Sequence, residues 1–477
     1  MNAPRPMPRR IFLRRAGLSA LAVSGTVPLL ANCASGGDEG DDEVSGGGEE
    51  QTEENPFGVS PSDPLSVVIF NGGYGEEYAK FHESIYQEEF PDATINHQAI
   101  TDIRQKMQPK FASSEPPDVL DNAGAEQMPI STLADNGQLT DLTQLWEADA
   151  LGFEGMTVQD TLHPIAIEAA EYAGKPYVMN YALQVYGIWY DQMLFDEKGW
   201  QPAQTWSEFQ DLCETIKSAG IAPMAHQGKY PYYIQQVLMD MAVKHGGPEV
   251  VYAIDSLADG AWQHDSIRMA AEALLWIKDN GYMLEGTEGL DHIQSQTEWN
   301  KGEAAFIPSG SWLENEQAAV VAEVNPDFKT TVAPTPLLDG AVLPFESTRV
   351  EAAEAFIVPA DAANQVGGLE YVRIMLSKDG ARKFTELTSA PTVVNGAADG
   401  LDASPGLASS LALIESGGDD NWNYYYTIWY SPMRPKIETV VGELAAGRIT
   451  ADEFCDRCQD IADQTAADPT TQQRTRT

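Results

Sequence analysis

Rings and amides alternate at several places along this chain. HQGKYPYYIQQ sets Tyr230, Tyr232 and Tyr233 between Gln227 and Gln235, NYALQVYGIWY carries Asn180, Tyr181 and Gln184, and PSGSWLENE places Trp312 just after a glycine. The densest run is NWNYYYTIWY, Asn421 to Tyr430, in a chain whose aromatic content is 9%. A pyranose has an apolar CH face that lies on an aromatic ring, and a rim of hydroxyls that needs donors and acceptors together. Neutral amides beside flat rings are therefore chemistry for an uncharged saccharide. Taken singly, each ring reads equally well as core, and Tyr233, Trp189 and Trp206 read as core outright. If Asn421 to Tyr430 is helical, Trp422, Tyr425, Tyr426 and Trp429 share one face while Tyr424 points away. Part of the run then packs its helix, and other rings are left for a ligand.

Rival chemistries find less support. NGGYGEE follows an apolar run and precedes a helical one, but after Gly73 and Gly75 come Glu76 and Glu77 where a dinucleotide site needs a third glycine and positive potential. That loop suits backbone N–H groups and the Tyr74 ring offered to a neutral ligand, or it is a plain tight turn. No P-loop, HExxH, GxSxG or His-rich cluster occurs, and the seven His are scattered. FCDRC, with Cys455 and Cys458, has no second pair to complete a zinc set. Both cysteines, and Cys213, read as helix positions, with a disulfide from Cys213 left open. No catalytic residue, metal ligand or cofactor is assigned. With 72 acidic against 29 basic residues the formal charge is -43, which repels nucleic acid, anionic headgroups and acidic substrates.

The elements that must position these groups follow an α/β rhythm. LSVVIF reads as a buried strand and ATINHQAI and PPDVLD as a second and a third, with amphipathic stretches between them, so a largely parallel sheet flanked by helices is expected. Asp121 and Asn122 close the third strand, the end at which such sheets hold ligands. Capping boxes open helices at Thr205-x-x-Glu208 and Thr450-x-x-Glu453. Extended crossings near Gln184 and Pro334 divide the chain into two lobes, 61–183 with 334–385 and 184–333 with 386–465, followed by a disordered tail over 466–477. Ahead of them, residues 1–32 read as an export signal. RRIFL fits a twin-arginine pattern, an apolar core follows, and LANC resembles a lipobox that makes Cys33 the lipidated residue. Residues 33–60, acidic and Gly-rich, read as a flexible tether from membrane to body.

KGEAAFIPSGSW, GKPYVMNYALQVYGIWYDQMLF and LAAGRITADEF resemble the helix–strand–Trp element, the first hinge crossing and the C-terminal helix pair of the extracellular solute-binding proteins, family 1, of carbohydrate ABC importers. Within that family VVIFNGGYGEEYAKF, HQGKYPYY, HIQSQTEW and FTELTSAPTVVNGAADGLDASPGLAS are similar to the actinobacterial lipoproteins for N-acetylglucosamine and N,N′-diacetylchitobiose. The resemblance implies a two-lobed periplasmic-binding-protein-like fold of type II. It also implies a neutral sugar ligand, transmembrane permease subunits as partners, a monomer anchored outside the cytoplasmic membrane by lipid alone, and no enzymatic activity. Carried over position by position, it implies ligand contacts from Gly73, Tyr74, Asp121, Asn122, Gln184, Tyr230, Tyr232 and Trp312, and from Trp422, Tyr425 or Trp429. An exported glycoside hydrolase acting on chitin fragments, or a receptor for another neutral oligosaccharide, is the alternative.

Overall fold

LSVVIF forms the strand β1 (Leu65–Phe70), whose side chains enter two different cores, Val67 and Ile69 on one face and Val68 on the other. A strand buried on both faces needs an unbroken apolar run, which is why this one does not alternate with polar residues. In the computed structural model, which describes residues 48–172 and 174–476, β2 (Ile95–Ile100) and β3 (Val119–Asp121) flank β1 in parallel register. The helices Glu77–Glu89 and Ile103–Ala112 make the crossovers. A two-residue hairpin, β4 (Glu171–Tyr172) with β5 (Lys175–Pro176), then leads into β6 (Met179–Asp191), buried along its whole length.

The strand β6 belongs to two neighbourhoods. Further on lie β7 (Ala222–Met224), β8 (Ala304–Gly310), β9 (Thr330–Ala333) and β10 (Val350–Ile357). The first half of β6 pairs antiparallel with β10, in the register Gln184 opposite Glu351, and β10 pairs in turn with β3. From Tyr186 onward β6 pairs instead with β8 and β9, and β7 runs parallel to β8. The strand order is β2-β1-β3-β10-β6-β8-β7, with β9 beside β6. Pairing is thus parallel at the two ends and antiparallel where the chain crosses between them. Helices cover each half, Gln365–Met375 and Lys378–Thr388 on the first, Tyr232–Gly246, Asp265–Asp279 and Ala451–Ala467 on the second. This is the two-lobed α/β arrangement the sequence implies.

The boundaries between lobes differ from those read in sequence. Phe57 and Val59 are buried in the first core, and the Asn55 side chain bonds both backbone groups of Val59, so the body begins inside the segment assigned to the tether. Residues 334–346 stay with the second lobe, because Leu338 and Leu343 pack there and Lys244 Nζ donates to Thr335 O at 2.9 Å. The return crossing is therefore at Ser347–Glu351, not Pro334. Ala390, Val393, Val394 and Ala397 still belong to the first core, which carries the next crossing past residue 397. Residues 466–476 also depart from the expected disordered tail. The helix runs to Ala467, and Arg476 is held by Asp255 at 3.0 Å and lies over the rings of Tyr252 and Tyr425. The export signal, Cys33 and most of the tether lie outside the described residues.

Both expected capping boxes are present. Cys213, Cys455 and Cys458 are free and buried, each in the second core, so the disulfide left open in sequence does not form among them. Among the described residues no His, Cys, Asp and Glu side chains gather as a metal site, and no helix is long and apolar enough to cross a membrane.

Candidate ligand-binding site

The paired positions on the two crossing strands begin a polar network. Tyr186 OH donates toward Glu351 Oε2 at 2.7 Å and lies 2.9 Å from Gln184 Oε1, while Tyr232 OH donates to Tyr186 OH at 2.7 Å. Arg349, 2% exposed, holds Glu351 at 2.7 Å, and its remaining nitrogens reach Gln236 Oε1 at 2.8 Å and Asn423 Oδ1 at 2.9 Å. Its guanidinium is sandwiched between the rings of Tyr186, at 4.4 Å, and Tyr424, at 3.9 Å. An arginine this deep persists only with its charge answered and its donors filled, and here both conditions hold. Burial, and after it Glu351, pushes the Tyr186 hydroxyl well above the ordinary tyrosine range, so it remains a protonated donor.

Groups from the two lobes meet over this network. From the first lobe, Gly73 presents its bare Cα to Trp312, so closely that an added Cβ would stand 3.0 Å from the indole Cδ1. Asn315 Nδ2 donates to Gly73 O at 2.6 Å. Trp312 leaves the end of β8, meets Tyr186 edge to face at 5.6 Å and packs against the first core from the second lobe. Tyr74 is 7% exposed, and its hydroxyl, near Gln184 and Ser311, has no hydrogen-bond partner. Asp121, fully buried, accepts on Oδ2 from Phe70 N and Tyr78 OH, both at 3.3 Å. Burial lifts its carboxyl to about 7, although those two donors and Glu354 pull it down.

Six positions named from sequence are thereby brought together: Gly73, Tyr74, Asp121, Gln184, Tyr232 and Trp312. The others lie apart. Asn122 turns inward and closes the following loop, bonding both backbone groups of Met128 at 2.8 and 2.9 Å. Tyr230 is 42% exposed, against His292 at the rim. Trp422 is in the second core, its indole donating to Asp240 at 3.0 Å. Tyr425 and Trp429 stack on each other at 5.3 Å, under Arg476 and Arg474. The helical reading of NWNYYYTIWY fails because Trp422 is bridged to Arg349 in extended conformation and the helix is only Tyr426–Trp429. The ring delivered to the network is Tyr424, the one that a helix would have turned away.

Sequence reasoning passed over Tyr186, Gln236, Asn315, Arg349, Glu351 and Glu354. One signal was available. VEAAEAFI carries two acids in a strand otherwise apolar on both sides, and acids on a buried strand must meet a partner or a ligand. Two surface hollows elsewhere on the second lobe, of about 410 Å³ beside Asp259 and Asp463 and about 380 Å³ beside His226 and Thr287, do not adjoin the network. What the network can do is bind. It offers hydroxyls, amides, carboxyls and ring edges.

Residues 72–382 match the family model for bacterial extracellular solute-binding proteins. The chain belongs to that family. It is 32% identical over 426 residues to the "Diacetylchitobiose binding protein NgcE" of Streptomyces coelicolor, covering 88% of each chain. Solved structures share the fold. A protein from work on xylan utilization by Caldanaerobius polysaccharolyticus superposes with a TM-score of 0.69 at 19% identity, covering 83% of this chain and 99% of that one. A chitin oligosaccharide binding protein gives 0.68 at 18%, covering 84% and 98%. Family membership makes this an exported binding protein and not an enzyme, which disposes of the hydrolase alternative.

Proposed function

We propose that the protein is the receptor of a carbohydrate ABC importer. It captures N-acetylglucosamine or N,N′-diacetylchitobiose between its lobes and presents the sugar to membrane permease subunits. The observation that carries this reading is the network shared by both lobes and by the strands that join them, with Trp312 and Asn315 of one lobe against Gly73 of the other. Contacts made from both sides exist together only when the lobes are closed, so a ligand that uses them shifts the population toward closure. The relative named for diacetylchitobiose supports the choice of sugar. The Tyr232 and Trp312 rings supply stacking surface, and Gln184 and Glu351 supply partners for hydroxyl or acetamido groups. The twin-arginine signal, acylation at Cys33 and the acidic tether would hold a monomeric receptor at the outer face of the cytoplasmic membrane.

A thermal-shift screen of the purified chain against a panel of sugars tests the reading. Ligand at 100 times its dissociation constant stabilises by about 2.7 kcal/mol, and N,N′-diacetylchitobiose is expected to give that response while maltose and raffinose do not. A larger shift with another neutral oligosaccharide would reassign the ligand, and no shift with any sugar would remove the saccharide reading.

A further inference from the structure

Among the described residues, two carboxyls beside the network have no cation to answer them. Glu351 has Arg349, but Asp121 and Glu354 face each other instead. Phe356 is paired with Asp121 across β3 and β10, which makes Glu354 the diagonal neighbour on the opposing strand. Its backbone sits in the left-handed region at φ 58°, a costly conformation for a glutamate. Asp121 is fully buried and its Oδ1 has no hydrogen-bond partner. Tyr74, whose charged neighbour is Glu354, likewise holds a buried hydroxyl without a partner.

The groups facing the pair are Tyr74 from the loop after β1, Tyr78 from the helix Glu77–Glu89, Tyr371 from the helix Gln365–Met375, and Glu351 on β10. None is basic. His82, beside Tyr78 at 5.8 Å, is held neutral because burial lowers it to about 4. Two adjacent carboxyls in such a place cannot both ionise, so one proton is kept between them. Burial, and after it Asp121, pushes Glu354 well above the ordinary carboxyl range, and burial lifts Asp121 to about 7.

We propose that Asp121 and Glu354 form a subsite for the protonated amine of a glucosamine unit, the ammonium replacing the shared proton, so that the receptor also takes free-amine amino sugars. An ammonium brings three donors, and the acceptors waiting for them are Asp121 Oδ1, the Glu354 carboxylate and the Tyr74 hydroxyl oxygen. The displaced proton passes to solvent, which balances the charge. This rests on the saccharide reading of the cleft, and extends it from neutral to cationic sugars.

Isothermal titration calorimetry of the full chain tests it, with the glucosamine disaccharide and with N,N′-diacetylchitobiose at pH 6, in two buffers of different ionisation enthalpy. The diamine is expected to bind with proton release, and E354Q to abolish that release and to weaken the diamine by about tenfold or more beyond whatever it costs N,N′-diacetylchitobiose. If E354Q does not fold, D121N gives the same reading. Binding of N,N′-diacetylchitobiose without binding of the diamine overturns the subsite and leaves the sugar receptor intact. Diamine binding without proton release, or undiminished in E354Q, also overturns it. If neither disaccharide binds, the saccharide reading falls and the subsite with it.

Discussion

Gly73→Ala isolates the contact between lobes from everything else in the cleft. Gly73 does not occupy the left-handed region, so alanine is permitted by the backbone, and its added methyl points at Trp312. The new carbon would stand 3.0, 3.1 and 3.2 Å from the indole Cδ1, Cβ and Cγ, against about 3.5–4.0 Å for a comfortable carbon–carbon contact. Overpacking of this kind costs about 1–3 kcal/mol. Because Gly73 and Trp312 sit on different lobes, the proposed hinge closure would place that cost on the closed state alone. At 1.4 kcal/mol per decade it becomes a loss in sugar affinity of about 5- to 150-fold. Calorimetric titration reads the affinity, and the melting temperature of the sugar-free chain is expected to change little. In a double variant with Trp312→Ala the methyl has nothing to strike, so it should add no further loss. Native affinity in Gly73→Ala, or equal losses in the single and double backgrounds, would refute closure onto Trp312.

Arg349→Met would leave Glu351 buried without its cation, and breaking such a pair costs about 3–5 kcal/mol, so urea unfolding should show a large loss at neutral pH, and Glu351→Gln, which leaves the still deeper Arg349 unanswered, should lose as much. Asp255 is fully buried and burial raises its carboxyl to about 6, with Arg476 the strongest opposing influence. A folded-state value above the unfolded 3.8 means that this group favours folding most at low pH and that the contribution is lost as pH rises through about 6. Arg476→Ala removes the opposing charge and should therefore destabilise more at pH 8 than at pH 5, and equal losses at both would show that Arg476 does not act through Asp255. Burial raises the Cys455 thiol to about 11 and Cys458 further. Iodoacetamide should accordingly leave Cys213, Cys455 and Cys458 unlabelled in the native chain and modify all three after unfolding, as read by mass spectrometry peptide by peptide.

What the sequence conveyed well was whatever is encoded locally. The buried strand β1 announced itself by its apolar run, whereas β2, INHQAI, alternates and buries only Ile100 fully, and the two capping boxes were legible by spacing alone. Tyr74, Gln184, Tyr232 and Trp312, which the structure brings to one network, were conspicuous in sequence as rings and amides, and Gly73 came with them through the family resemblance. The lobe boundaries were less legible, since Leu338 and Ala390 look the same in sequence whichever core receives them. NWNYYYTIWY misled for a physical reason. Its spacing satisfies a helix, but pairing of Trp422 with Arg349 keeps the first half extended, and a tertiary bridge overrides local periodicity. The tail misled in the opposite way. DPTTQQRTRT has nothing to bury, yet the Asp255 carboxylate gives Arg476 a fixed place.

The division of the network between strands and lobes bears on how capture would work. Gln184 and Glu351 are opposite each other in the β6–β10 ladder, so their separation is set by backbone hydrogen bonds that no movement of the lobes need disturb. Arg349, Tyr186 and Tyr424 are fixed to the same strands by stacking and ion pairing. That portion is preorganised, and a sugar meeting it loses little to reordering side chains. Gly73, Tyr74 and Trp312 arrive from the sides, and in the proposed closure their contacts are the ones that would distinguish closed from open. The crossing residues should therefore govern affinity in both states alike, whereas the flanking ones should govern how far ligand moves the equilibrium, since a ligand shifts a population only by its difference in affinity between states. Substitutions at Gln184 and at Trp312 would then separate in a scattering experiment. Saturating sugar still compacts a Gln184→Ala chain, while Trp312→Ala binds without full compaction.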